Sequence, residues 1–176
     1  MTSRVGAVRR VAPALGALVS LLLATGCGMS IPSDPEGTLD SVRGGTLSVG
    51  VVTHGDFVEV DGTAGDQGAV GEDQISGSEV DLVRGFADLL GAEIEFYTTG
   101  EEELVRRLDE GSVDLVVGGF TSQTVRASEA GLTRPYTEKV LSGEKRKIVI
   151  LAPRGENAFI SELEQYLDAS GSEASR

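Results

Sequence analysis

The spacing of apolar residues changes several times along the chain. Val11 to Ala24 (VAPALGALVSLLLA) is almost uninterrupted. Thr46 to Val52 (TLSVGVV) alternates and is rich in β-branched residues, which predicts a strand. His54 to Gly77 has little periodicity and many Gly, Asp, Glu and Gln residues. It reads as a long loop, of a length that is usually functional or disordered, with Phe57, Val58 and Val60 as a short strand inside it. From Ser78 to Leu90 the apolar positions Val83, Phe86, Ala87 and Leu90 fall on one helical face, with Ser78 as cap and Gly91 as stop. Glu93 to Tyr97 is a second strand. Thr99 and Glu102 form a capping-box pattern ahead of a helix whose stripe is Leu104, Val105 and Leu108, ended by Gly111. Val113 to Val117 is nearly all apolar, as a central parallel strand is. Thr124 to Glu129 suits a helical turn, Lys147 to Leu151 a fourth strand, and Glu156 to Leu167 a third helix burying Phe159, Ile160, Leu163 and Leu167.

The order β-α-β-α-β predicts an α/β fold with a mostly parallel sheet flanked by helices. Residues 44–169 form this domain. Residues 27–43 are polar, carry two prolines and read as a flexible tether, and 170–176 read as a polar tail.

Charge changes the picture at the N-terminus. Arg4, Arg9 and Arg10 precede the apolar run, and Thr25-Gly26-Cys27 follows it. Charge, apolar core and small residues in that order make a secretory signal over residues 1–26. The run is short for a membrane span and is broken by Pro13 and Gly16. Cys27 is the single cysteine, so no internal disulfide forms, and ATGC resembles the bacterial lipobox in which the cysteine is lipidated. Ala24 stands where leucine is usual. The expected location is the outer face of the cell membrane, held by a lipid on Cys27. The formal charge is −13, and loss of three arginines and no acids with the signal takes it to about −16. Such a surface repels nucleic acid.

Catalytic patterns are weak. His54 is the one histidine, and without free cysteines a His/Cys metal cluster is excluded. There is no G-x-S-x-G elbow, and the acids of the loop and of Glu101–Glu103 lack calcium-loop spacing. The expectation is a protein that is not an enzyme and needs no cofactor. Gly118-Gly119, just past the third strand, lies where open α/β sheets bind ligands. Glycines there let backbone N–H groups approach an anion, Thr121 adds a hydroxyl, and Arg126 offers a fork for a carboxylate. A tight turn with a solvated arginine would give the same sequence.

GSEVDLVRGFADLLGAEIEF (residues 77–96) resembles the G-F-D-V-D-L…A-x-x-L-G segment of the family 3 bacterial extracellular solute-binding proteins, the amino-acid receptors of ABC importers. LDEGSVDLVVGGFTSQTVRASEAGLTRPY (108–136) resembles that family's L-x-x-G-x-V-D…G-M-T-x-T-P-E-R…F-S-x-P-Y stretch, and GGTLSVGVV its opening strand. The resemblance implies a periplasmic-binding-protein-like lobe. It implies ligand contacts at Gly119, Phe120 and Thr121, a carboxylate-binding role for Arg126, and an aromatic contact from Phe57. Asp114 and Pro135-Tyr136 take structural and hinge positions.

The chain departs from that pattern at several points. His54-Gly55-Asp56-Phe57 replaces the family's P-P-F, Gln123 replaces its second threonine, and Thr124-Val125 replaces Pro-Glu. Family members close a ligand between two lobes. Here KRKIVILAPRGENAFISELEQYLDAS, similar to the family's returning strand and last helix, follows Pro135-Tyr136 almost at once. The expectation is one lobe without most of the second, binding an amino acid or similar small carboxylate in ABC-type import. Its partners would be a permease or other envelope protein, the membrane through the lipid, and a second copy if a homodimer rebuilds a two-sided cleft. The competing expectation is an envelope interaction or sensory module that uses the lobe to bind a protein.

Overall fold

The alternating stretch Thr46–Val51 forms β1, and it lies in the middle of a six-stranded sheet. The computed structural model describes residues 34–62, 67–123 and 129–173. Cys27 and Arg126 lie outside the described residues, as does most of the helical turn expected at Thr124 to Glu129.

In chain order the elements are α1 (Thr38–Val42), β1 (Thr46–Val51), β2 (Glu59–Val60), β3 (Gly68–Val70), a 3-10 turn (Glu72–Gln74) and β4 (Ile75–Ser76). There follow α2 (Ser78–Leu90), β5 (Glu93–Thr98), α3 (Glu101–Asp109), β6 (Leu115–Val117), β7 (Gly131–Leu132), β8 (Thr137–Leu141), β9 (Glu144–Ile148), β10 (Leu151–Ala152) and α4 (Asn157–Glu173).

The sheet order is β3-β5-β1-β6-β10-β7. β1 runs parallel to β5, with Val49 opposite Phe96, and parallel to β6, with Val49 opposite Leu115. β3 and β10 pair antiparallel on the flanks, so the parallel centre has mixed edges. Because β1 has its first successor on one side and its second on the other, the loops leaving β1 and β6 diverge. That topology opens a crevice at the carboxyl ends of these strands.

Each face of the sheet has its own apolar layer. On one, Val80, Val83, Phe86 and Ala87 of α2 pack with Phe159, Leu163 and Leu167 of α4 against Leu47, Val49, Val51, Phe96 and Leu115. On the other, Leu104 and Leu108 of α3 pack with Val113, Val116, Phe120 and Leu151. Among the described residues, every buried side-chain nitrogen and oxygen has a hydrogen-bond partner, and no helix is long and apolar enough to cross a membrane.

Several local expectations are corrected. Residues 38–42, expected as part of a flexible tether, are instead helical and bury Leu39 and Val42. The tail expected from residue 170 is largely helix, since α4 continues to Glu173. The long loop contains three short strands: β2 pairs with β4, and β3 extends the sheet edge on β5. Gly77 and Gly100, not Ser78 and Thr99, sit at the helix N-caps, and neither makes a side-chain cap bond.

The single strand expected over Lys147 to Leu151 is two. Ile148 ends β9 opposite Thr137, Val149 donates its N–H to the Phe120 carbonyl at 2.9 Å, and Leu151 in β10 pairs with Val116 and Leu132. The stretch is apolar throughout because it passes through the interior while changing partners. Preceding it is an unexpected feature, a free-standing β8–β9 hairpin closed by Ser142-Gly143.

Candidate functional site

The crevice is walled by the segment after β1, by the turn after β6 and by the hairpin. Gly118 and Gly119 both have positive φ, 154° and 67°. A side chain is also excluded by space. A Cβ on Gly119 would lie 2.5 Å from Nδ1 of His54 and 2.6 Å from the Phe57 ring. These two glycines therefore let the backbone pass directly beneath His54 and Phe57, whose rings are 5.6 Å apart.

The backbone N–H groups of Gly118 and Gly119 do bind a carboxylate, but it belongs to the chain itself. Both donate to Oε2 of Glu79, at 2.7 and 2.8 Å. The other oxygen, Oε1, accepts the Tyr136 hydroxyl at 2.6 Å. Glu79 is fully buried. Burial raises its pKa above the ordinary 4.5, and the bonds from Tyr136, Gly119 and Gly118 together with the nearby His54 oppose that rise. Burial and the same carboxylate hold the Tyr136 phenol far above its usual range, so it remains a donor. Nδ1 of His54 lies 3.0 Å from the Gly118 carbonyl, which can only accept, so this nitrogen carries hydrogen.

Phe57, Phe120 and Thr121 are all buried. The carbonyl of Phe120 accepts from Val149, Thr121 forms a bridge with Ile148, and Thr121 Oγ1 accepts from the Gln123 N–H at 3.3 Å. Phe57 thus lies on Gly119, whereas Phe120 packs into the α3 layer with Leu104, Leu108 and Val113. Asp114 exchanges bonds with Ser48: its Oδ2 accepts the Ser48 N–H, and its own N–H donates to the Ser48 carbonyl, both at 2.8 Å. This ties β6 to β1 and fits the structural role implied for it. Burial raises its pKa, opposed by the bond from Ser48.

Beside this centre lies a cavity of about 250 Å³ lined by His54, Gly55, Asp56, Phe57 and Ser78 on one wall and by Lys139, Val140 and Leu141 of β8 on the other. A larger depression of about 540 Å³, around Tyr97, Gly100, Glu103 and Arg107, lies at the end of β5 and shares no lining residue with the glycine turn. Among the described residues no group of His, Cys, Asp and Glu side chains is arranged to hold a metal.

Sequence reasoning did not single out Glu79, Tyr136 as its partner, or the hairpin wall. Glu79 had a legible signal. It is four residues before Val83 and seven before Phe86, so it occupies the apolar stripe of α2 where an acid needs a buried partner.

By sequence, the family described as bacterial extracellular solute-binding proteins, family 3, matches residues 58–173. No curated protein matches by sequence. Similar solved structures include the arginine-bound form of domain 1 from TmArgBP, at 21% identity and TM-score 0.60, covering 74% of this chain and 97% of that one. The L-cystine solute receptor of Neisseria gonorrhoeae in its unliganded open conformation has 11% identity and TM-score 0.60, covering 77% and 92%. An ancestral cyclohexadienyl dehydratase has 16% identity and TM-score 0.63, covering 82% and 94%. At these identities the likeness is one of fold.

Proposed function

The chain belongs to family 3 of the bacterial extracellular solute-binding proteins, and from that premise we propose that it captures an amino acid or similar small carboxylate for ABC-type import while tied by a lipid on Cys27 to the outer face of the cell membrane. The observation that carries this reading is the crevice itself. Gly119 lies against His54 and Phe57 at the carboxyl ends of β1 and β6, and those two side chains line a cavity of about 250 Å³ that suits a molecule of amino-acid size. The arginine-bound single domain of TmArgBP supports the idea that one lobe of this kind can hold a ligand.

In this reading the buried Glu79 consumes the two glycine N–H groups, so the ligand's carboxylate goes to Arg126, which the family resemblance assigns to that task. Phe57 holds the turn by packing on Gly119. The solute is bound and handed on rather than converted. Glu79 is enclosed by its three hydrogen-bond donors, which leaves it out of reach as a general base. A lipid tether keeps the lobe near a permease at raised effective concentration.

The test is calorimetric titration of the full-length protein in detergent with the common amino acids. One or more should bind, Arg126→Ala should weaken binding at least about tenfold, and the ligand should be recovered unchanged by NMR. Incorporation of a labelled fatty acid that is lost in Cys27→Ser checks the anchor. A flat titration with every amino acid would sink the receptor reading, and product formation would sink the non-catalytic one.

A further inference from the structure

Family resemblance leads to the expectation of a crossing into a second lobe after Tyr136. The chain instead runs through β8, turns at Ser142-Gly143 and returns in β9. The geometry points to this hairpin as a substitute wall that, through Lys139, selects a ligand with a second anionic group: an acidic amino acid or a dicarboxylate. The inference rests on the proposed receptor function and names its ligand class.

The two faces of the hairpin are distinguishable. Ile148 is fully buried, while Thr137, Leu141 and Arg146 are half-buried. Glu138, Lys139, Val140, Glu144, Lys145 and Lys147 are exposed. With a side-chain period of two, Lys139 and Glu144 point to the same side as Thr137, Leu141 and Arg146. The register places Lys139 directly opposite Arg146. Like charges directly opposite in an antiparallel pair are destabilising, so this side of the hairpin keeps an unfavourable pair of cations where opposite charges would be better.

Part of Arg146 is engaged. One guanidinium nitrogen donates to Gln123 and another to Glu144 at 2.6 Å. The Gln123 contact fixes where this face looks, because Gln123 ends the turn that starts at Gly118. Among the described residues Lys139 makes no ion pair or side-chain hydrogen bond, and it lines the cavity. On the opposite wall Asp56 is likewise without an ion pair among the described residues, and it suits the ligand's ammonium.

Charge distribution agrees with this assignment. The hairpin carries Lys139, Lys145, Arg146 and Lys147 against Glu138 and Glu144, in a chain of net charge −13. A local excess of positive charge in one hairpin of an acidic molecule draws an anionic solute to that region. A neutral amino acid gains less from it, because its carboxylate and ammonium largely cancel, and a basic one is disfavoured.

The test is calorimetric titration of the full-length protein in detergent with L-glutamate, L-glutamine and L-arginine, alongside the Lys139→Gln and Arg146→Gln variants. Glutamate should bind at least about tenfold more tightly than glutamine, the effect of one added charge contact near a surface. Lys139→Gln should bring that ratio close to one. Glutamine or arginine binding as tightly as glutamate would overturn the inference and leave amino-acid capture standing. So would a preference that survives both substitutions, with the variants merely aggregating more readily, because the charges would then serve only to protect an exposed hairpin edge. Failure of all amino acids and of succinate to bind the parent would remove both readings.

Discussion

Tyr136 donates its hydroxyl to Oε1 of Glu79 across 2.6 Å, joining the first turn of α2 to the residue that leads into the hairpin. The same carboxylate holds Gly118 and Gly119 with its other oxygen. One side chain therefore clamps three segments that meet at the crevice. Glu79→Ala would leave two buried N–H groups and a phenol without partners and should cost about 3–5 kcal/mol. Tyr136→Phe removes one donor and should cost about 1–2 kcal/mol. Urea unfolding of the two variants checks this order, and equal losses would mean that the glycine bonds carry nothing.

Glu79 also predicts a pH dependence. The unfolded chain loses this proton near the ordinary value of 4.5, whereas the folded protein, with a raised pKa, retains it to higher pH. Between those two values the folded state binds more protons, so stability falls as pH rises and levels off above the folded pKa. Asp114 acts in the same direction from 3.8. Glu103 acts oppositely: hydrogen bonds from Arg106 and Arg107 lower it to about 2, so its small contribution is lost as pH falls from 4.5 toward that value. It is solvent-screened and weak. Glu79→Gln should therefore gain on the parent as pH is raised from 4.5 toward neutrality. A parent-minus-variant difference that does not move with pH, measured by urea midpoint, would remove Glu79 as the titrating group.

Gly119 leaves no room for a side chain. Its φ of 67° is unfavourable for L-residues, and a Cβ there would run into His54 and Phe57. Gly119→Ala should destabilise the fold by about 2–4 kcal/mol, combining backbone strain with overpacking. The chemical shifts of Phe57 and His54 should move with it. A variant as stable as the parent with unmoved His54 resonances would show that these rings are not held against the turn.

The fold was legible because its main signals are periodic. The strands around Val49, Phe96 and Leu115 and the stripe of α2 could be read from spacing alone. The site was legible only in part. Gly118-Gly119 marked the turn, but the anion on its N–H groups was taken to be a ligand's, because nothing local ties Glu79 to a turn some forty residues later in the chain. The hairpin was missed for another reason. Lys147 to Leu151 reads as one strand, since burial, not pairing, makes its residues apolar, and β8 has too few apolar residues to announce itself.

The hairpin turn is not at its optimum. Ser142 and Gly143 both have positive φ, 51° and 82°, as a two-residue type I′ turn requires, and Ser142 is the one non-glycine residue so placed among those described. Asparagine tolerates this conformation better than serine. Ser142→Asn should stabilise the hairpin by roughly 0.5–1 kcal/mol. Because a two-stranded hairpin opens locally, the readout is slower hydrogen exchange at Lys139 and Arg146 rather than a global midpoint. Unchanged exchange would place the opening step elsewhere than at the turn.

Residues 34–43 are held to the domain by side-chain bonds that can be cut one at a time. Glu156, fully buried at the start of α4, accepts the N–H groups of Glu36 and Thr38 at 2.9 and 3.1 Å. Asp34 accepts the N–H of Leu39 at 2.9 Å. Leu39 and Val42 are buried, and Arg43 lies 3.3 Å from Glu162. A chain beginning at Asp34 keeps all of these contacts and should unfold at the same urea midpoint as one beginning at Cys27. A chain beginning at Gly44 exposes the surface that Leu39 and Val42 cover and leaves the Glu156 carboxylate buried without its donors. It should lose about 3–5 kcal/mol. Glu156→Gln in the longer chain should lose less, because an amide oxygen still accepts one bond. If the chain from Gly44 matched the chain from Asp34, α1 would be part of the tether and not of the fold.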